Sequence, residues 1–267
     1  MSKGYVIVAS GKEHLQQAYL CALSIKKTQT INQVCLITES HVPKKYNDVF
    51  DYIQPIPWHK TQDFYVTQDR WKVYHVTPFK ETIVLDSDMI FLSNQDHVWK
   101  HMEMHKFDIC FPSHVINYRQ NKVTNNYYRK VFVENKIPLV YCAQHYFKKS
   151  EVAYNYYKVL EMICKEYEEF YKIYTKKFKP NVPSMDLNHA LAILQTNTTK
   201  CFSHVLNFTH MKPKVQDWES CSNNWMDDIP FYLDDDLQLK IGNYKQTGLF
   251  HYVEDKFCKQ VVGKYNV

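Results

Sequence analysis

"ETIVLDSDMIFLSN", residues 81–94, sets Asp86 and Asp88 one residue apart inside an apolar run. Ile83, Val84 and Leu85 lead in, and Met89, Ile90, Phe91 and Leu92 lead out. Length and β-branched content make the first part a buried strand. Two carboxylates buried there without compensation would each cost several kcal/mol. The stretch therefore reads as a strand that ends at Asp86 and delivers both carboxylates to whatever the strand end faces. In an open α/β sheet that place is the ligand crevice outside the carboxyl ends of the strands. A hard divalent cation, Mg²⁺ or Mn²⁺, would offset the charge there, because such ions take oxygen ligands and bridge carboxylates to phosphate oxygens. The competing assignment has Asp86 capping a turn and Asp88 pairing with a lysine. A bare Asp-x-Asp is a weak signal: Asp234-Asp235-Asp236 has the same spacing without the apolar flanks and reads as a solvated loop.

Outward from this strand the first half alternates between strand and helix patterns. Residues 5–10 (YVIVAS) form a short apolar strand ending at Ser10-Gly11, and 12–27 carry apolar residues at helical spacing. Strands follow at 34–38 and 51–56, then a helix over 67–76 and the strand 82–86. This rhythm predicts βαβ units and a mostly parallel sheet buried on both faces. The second half is less regular, with strands at 107–112 and 139–147 and a helix over 122–135. A long helix runs from an N-cap at Ser150 to about Tyr174, a second covers 186–195, and late strands fall at 237–244 and 248–253. No repeat or linker interrupts the 267 residues, which predicts one domain.

Five glycines form neither G-x-G-x-x-G nor a P-loop, so any bound phosphate must be neutralised in another way. The eight cysteines contain no C-x-x-C pair and read as small buried hydrophobes in a reducing compartment. No apolar run approaches the ~20 residues of a membrane span. The N-terminus reaches charge too early for a signal peptide, so a soluble, cytoplasmic protein is expected. The net charge of +5 suits an anionic ligand or polyanionic partner without selecting one. Lysine supplies nearly all the cations, and arginine occurs only at Arg70, Arg119 and Arg129.

"KETIVLDSDMIF" resembles the aspartate motif of GT-A-fold glycosyltransferases, especially the glycogenin-like retaining group, and the likeness extends over most of the chain. It implies a Rossmann-like GT-A domain over 1–267, with 1–112 as the nucleotide-sugar-binding half and 113–267 as the acceptor-side half. It also implies a nucleotide-sugar donor, UDP-sugar favoured, and a Mn²⁺ or Mg²⁺ ion held by Asp86 and Asp88. Val8, Ala9 and Ser10 would line the nucleoside pocket, Ser87 would contact the donor, and Arg70 and Lys72 stand where that family often has basic residues. Asp186, in "PSMDLNHALAIL", matches a helix-opening aspartate of the family without the glutamine that often follows it. It touches the sugar or the transition state on one reading and is a helix N-cap on the other. The family's third metal ligand, a late-strand histidine, matches His251 in "TGLFHYVEDKF", with Lys256 one residue early for the phosphate lysine. His210 and Lys212 in "NFTHMKPKVQDW" are rivals for the same roles.

The implied reaction loses the diphosphate and adds an acceptor hydroxyl on the same face of the sugar. No general base is evident in the sequence; inverting chemistry would need one. The composition also resembles that of tailed-phage proteins, whose DNA carries sugar-modified hydroxymethylated pyrimidines, which makes DNA the first expected acceptor and host cytoplasm the location. The lysine-rich segments 176–179 and 212–214 suit a DNA surface. A glycan or protein hydroxyl is the alternative acceptor. A nucleotidyltransferase or a non-catalytic sugar-nucleotide binder remains the alternative class.

Overall fold

The apolar residues of the strand at 81–85 alternate between two hydrophobic cores. Ile83 and Leu85 pack in one with Tyr5, Ile7 and Leu36, while Val84 packs in the other with Val6, Cys35 and Ile37. Successive side chains of a strand point to opposite faces, so a sheet whose faces are both covered takes an unbroken apolar run. The computed structural model of the protein describes residues 2–58, 69–124, 129–176, 182–216, 224–234, 236 and 238–263.

Among these residues a seven-stranded sheet comprises β1 (Lys3–Val8), β2 (Val34–Ile37), β3 (Tyr52–Gln54), β4 (Glu81–Leu85), β6 (Ile109–Pro112), β7 (Gln144–Lys148) and β8 (Phe202–Ser203), in the order β3-β2-β1-β4-β7-β6-β8. β3, β2, β1 and β4 run parallel, and β6 is parallel to β8; only β7 opposes its neighbours. The sheet is thus mostly parallel, as the strand–helix rhythm predicts. Where β1 passes the β4 entry, Gly4 leaves room for the Phe79 ring: a Cβ there would lie 2.4 Å from it.

Two small sheets flank this one. β5 (Met89–Phe91), β13 (Leu249–His251) and β9 (Thr209–His210) form the first, with β13 antiparallel to β5 and parallel to β9. β10 (Phe231–Leu233), β11 (Leu239–Ile241) and β12 (Tyr244–Lys245) form an antiparallel second. The apolar run of 81–94 is therefore two strands in two different sheets, with Asp86-Ser87-Asp88 as the joint.

The structure also redraws several elements. The expected helix from Ser150 breaks into Glu151–Lys165 and Tyr167–Tyr174, although Ser150 does cap it, accepting from the Ala153 N–H. Of the helix expected at 122–135 only Lys130–Glu134 forms among the described residues; 125–128 lie outside them. A 3₁₀ turn, Arg70–Lys72, runs into the short helix Val73–Val76, while 67 and 68 are outside the described residues. The strand expected at 139–147 begins only at Gln144, and the one at 237–244 is two strands of a hairpin. The helices His97–Met104 and Asp255–Val262 have no counterpart in the expected pattern. The seven described cysteines are all buried and free, in keeping with their reading as small hydrophobes. No helix among the described residues is long and apolar enough to cross a membrane.

Candidate active site

The joint between β4 and β5 is fixed by backbone contacts on both sides. The Asp86 N–H donates to the Ala143 carbonyl at 2.8 Å, and the Asp88 carbonyl accepts from Tyr252 N–H at 3.2 Å. Among the described residues neither carboxylate pairs with a lysine. Asp86 accepts from the Arg70 guanidinium, and Asp88 Oδ2 lies 2.9 Å from His251 Nε2. His251 reaches Asp88 because β13 pairs antiparallel with β5, setting His251 opposite Met89. One ligand atom from each of Asp86, Asp88 and His251 falls within 4.8 Å of the other two.

The electrostatics follow from this proximity. Burial disfavours charge on Asp88, but the facing His251, its hydrogen bond and Arg70 outweigh that and hold the carboxyl below its ordinary pKa. Burial likewise pushes His251 down, while Asp88 and the more distant Asp86 and Asp186 outweigh it and raise the imidazole. His210, stacked on His251 with ring centroids 4.7 Å apart, is held well below its ordinary value by burial and then by the neighbouring His251, Lys212 and Arg129.

Two clefts meet at this joint and share Arg70 and Asp86 as walls. The first, about 300 Å³, is lined by the end of β1 and its turn (Val8, Ala9, Ser10), by His14 and Gln17, and by Ser87 and Asp88. Ser87 donates to Gln17 at 3.1 Å, and Gln17 donates to Asp255 at 2.5 Å, tying the joint to the helix below it. The second, about 280 Å³, is lined by Arg129, Tyr141, Cys142, Asp186, His210, Lys212 and His251 among others. Each lies near the lower end of small-molecule sites, which run from roughly 300 Å³ upward.

Asp186 is the best-anchored carboxylate of the second cleft. It sits in the first turn of the Met185–Thr196 helix, but the cap is Ser184, whose side chain accepts from Leu187 N–H. The capping alternative for Asp186 therefore falls away. Its Oδ1 accepts the Cys142 N–H at 2.8 Å and its Oδ2 pairs with Arg129 at 2.6 Å. Burial raises its pKa, and Arg129 with the Cys142 N–H outweighs this, so the carboxyl stays below the ordinary value. The Arg129 guanidinium is gripped in turn, 4.3 Å from the Phe132 ring centre and 4.4 Å from that of Tyr141, and it donates to the Val140 carbonyl.

The structure thus brings Val8, Ala9, Ser10, Arg70, Asp86, Ser87, Asp88, Asp186, His251 and the rival His210 to the two clefts. Lys72 is buried and pairs with Asp69 at 2.6 Å, outside both. Lys256 is exposed on the Asp255–Val262 helix and lines neither, whereas Lys212 lines the second. Sequence reasoning passed over Arg129 and the Gln17–Asp255 link. For Arg129 a signal existed: two of the three arginines in a lysine-rich chain line these clefts.

Two carboxylates and an imidazole nitrogen converging on one point fit a divalent ion. The carboxylate oxygens suit hard ions such as Mg²⁺ and Mn²⁺.

No family model matches the chain, and no curated protein matches it. Similarity appears among solved structures. The galactosyltransferase LgtC, solved in complex with donor and acceptor sugar analogues, superposes with a TM-score of 0.56 at 10% identity, covering 99% of this chain and 96% of that one. An active-site Gln-to-Glu variant of LgtC gives 0.53 at 12% identity, over 97% and 95% of the two chains. Mouse xyloside xylosyltransferase 1 gives 0.49 at 7% identity, over 76% and 84%. At such identities the likeness to LgtC is one of fold, and it spans nearly the whole of both chains. The α/β architecture, with its mostly parallel central sheet, matches the GT-A fold of these glycosyltransferase structures.

Proposed function

We propose that the protein is a metal-dependent glycosyltransferase that moves a sugar from a nucleotide-sugar donor to an acceptor hydroxyl. The observation that carries this reading is the convergence of Asp86, Asp88 and His251 where two clefts meet, Asp86 on both, Asp88 on the first and His251 on the second. Residues 1–112 contribute most of the donor half: the nucleoside lies along Val8, Ala9 and Ser10, beside Ser87. Asp86, Asp88 and His251 would hold a divalent ion, Mn²⁺ or Mg²⁺. The ion, when bound, supplies Lewis-acid neutralisation of charge on the diphosphate.

The chain's own side chains do the remainder. Arg70 lies against Asp86 at the wall between the clefts and adds a second positive group for the leaving phosphates. Lys212 opens on the sugar side, and its ammonium has no ion pair among the described residues, so it, rather than the outlying Lys256, completes the cationic surround. Asp186 orients sugar hydroxyls as an acceptor. Arg129 and the Cys142 N–H keep it ionised, and a carboxylate so stabilised is a poor proton acceptor at neutral pH. That favours retention, in which the departing diphosphate takes the acceptor's proton. A hydroxymethylated pyrimidine in DNA remains the first acceptor to try, on the strength of the compositional resemblance to tailed-phage proteins, and the net charge of +5 is compatible with it.

The test is a panel of UDP-, GDP- and CDP-sugars with Mn²⁺, offered plain DNA, hydroxymethylated DNA or a free glycan, with nucleoside diphosphate release as the readout. Release with one donor, lost in Asp88→Asn, supports the reading, and the acceptor that stimulates it identifies the substrate class. Release indifferent to DNA discards the DNA acceptor alone. Absence of release from every donor, with pyrophosphate formed from a nucleoside triphosphate and a sugar phosphate, would replace it with nucleotidyl transfer.

A further inference from the structure

Three imidazoles lie together on elements that line neither cleft. His101 and His105 are four residues apart at the end of the His97–Met104 helix, where residues share a face. The His105 N–H donates to the His101 carbonyl at 3.1 Å, so the helical turn extends to His105. Their ring centroids are 4.3 Å apart. His204, just past β8, brings a third ring to 6.0 Å from that of His101. His101 Nε2 lies 2.9 Å from the Ser203 hydroxyl, which positions the ring and leaves Nδ1 as the second nitrogen. His105 and His204 are exposed and His101 is half-buried. None of the three has an ion pair among the described residues, and Glu103, the carboxylate between His101 and His105 in sequence, is taken by Lys3.

Two histidines one turn apart on a helix are a two-point chelate, the arrangement that holds zinc in H-E-x-x-H helices. Imidazoles favour Zn²⁺, Cu²⁺ and Ni²⁺ over the hard ions that carboxylates take. A ring held through its other nitrogen by a polar neighbour is the usual setting of a ligating histidine. We propose that His101, His105 and His204 form a second metal site, for a divalent cation of the zinc class, that ties the end of the His97–Met104 helix to the segment following β8. The three rings do not yet gather their nitrogens within the 4.8 Å that encloses the Asp86, Asp88 and His251 atoms. Closing the set takes rotamer changes of His105 and His204, both free to turn at the surface. Lys200 already links the same two segments, donating to the His105 carbonyl at 3.2 Å. A bound ion would strengthen a connection that exists.

Calorimetric titration of the untagged protein with ZnCl₂ at neutral pH tests this. The wild type is expected to bind Zn²⁺ at two separable sites. The double variant His101→Gln/His105→Gln loses one, and Asp88→Asn loses the other. His204→Gln weakens the first site at least tenfold, and Mn²⁺ does not fill it. Zn²⁺ raises the melting temperature of Asp88→Asn but not of Asp88→Asn combined with the double substitution. The glutamines fall at exposed or half-buried positions, so unchanged melting without metal separates lost ligation from lost folding. Zinc binding that the double variant retains in full, or that Asp88→Asn alone abolishes, overturns the site. Neither result depends on whether the protein transfers a sugar.

Discussion

The two clefts that meet at Arg70 and Asp86 are built in different ways. The first cleft is made mainly by two stretches, the end of β1 with its turn and the helix start that follows, and the β4–β5 joint beside it, closed by Arg70, Val253 and Asp255. The second cleft is assembled from Arg129, Cys142, Asp186, His210, Lys212 and His251, which come from five separate stretches after residue 112. In the first, position follows from strand pairing, because neighbouring parallel strands bring their carboxyl ends to one edge. In the second, position follows from side-chain anchoring, above all the Arg129–Asp186 pair held between two aromatic rings and two backbone groups. Substitutions at the anchored pair of the second cleft should therefore disturb folding and chemistry together, while those in the first cleft should separate the two.

The sharpest break of that contrast is Asp88→Asn. It is expected to lower nucleoside diphosphate release roughly 100- to 1,000-fold, the scale of losing one preorganised electrostatic group, with the melting curve little changed. Arg129→Ala should instead cost about 3 kcal/mol of stability in a urea melt, because it strands the half-buried Asp186 carboxylate. A melt indistinguishable from wild type would show that Asp186 is held by the Cys142 N–H alone.

A third effect, Gly4→Ala, tests the sheet that carries both clefts. A methyl 2.4 Å from the Phe79 ring forces that ring to shift, at about 1–3 kcal/mol in the same melt. The fourth concerns pH. The folded pKa of Asp186 lies below its unfolded value, so its contribution to stability is present above the ordinary aspartate pKa of ~3.9 and disappears as pH falls through the folded value. Wild type should then lose stability on acidification more steeply than Asp186→Asn; parallel curves would remove the ion pair from the account. The smallest difference is between two lysines. Lys212→Ala should raise the donor KM about 5- to 10-fold, as loss of a charge-assisted contact of about 1 kcal/mol would, and Lys256→Ala should leave it within twofold.

Much of this was legible in the chain. The apolar run at 81–94 marks a strand buried on both faces, and two carboxylates at its end demand compensating partners, which the structure supplies in Arg70 and His251. The alternating first half marks the parallel sheet, and Ser150 marks a helix start that the structure keeps. Short elements were not legible: β8 and β9 have two residues each, too few for any period to register. The break at Glu166 within an otherwise continuous apolar pattern was equally silent.

The site divides along the same line. Sequence by itself determined that Asp86 and Asp88 sit together at a strand end, because their spacing and their flanks are local. It left His210 and His251 as rivals, and only the tertiary structure decided which histidine meets Asp88, through the antiparallel register that sets His251 opposite Met89. The capping of the Met185–Thr196 helix was decided in the same way: Ser184 takes the N-cap, and Asp186 turns to Arg129, 57 residues away in sequence. Partners that distant leave no periodic trace, because chain separation carries no information about contact until the sheet has formed.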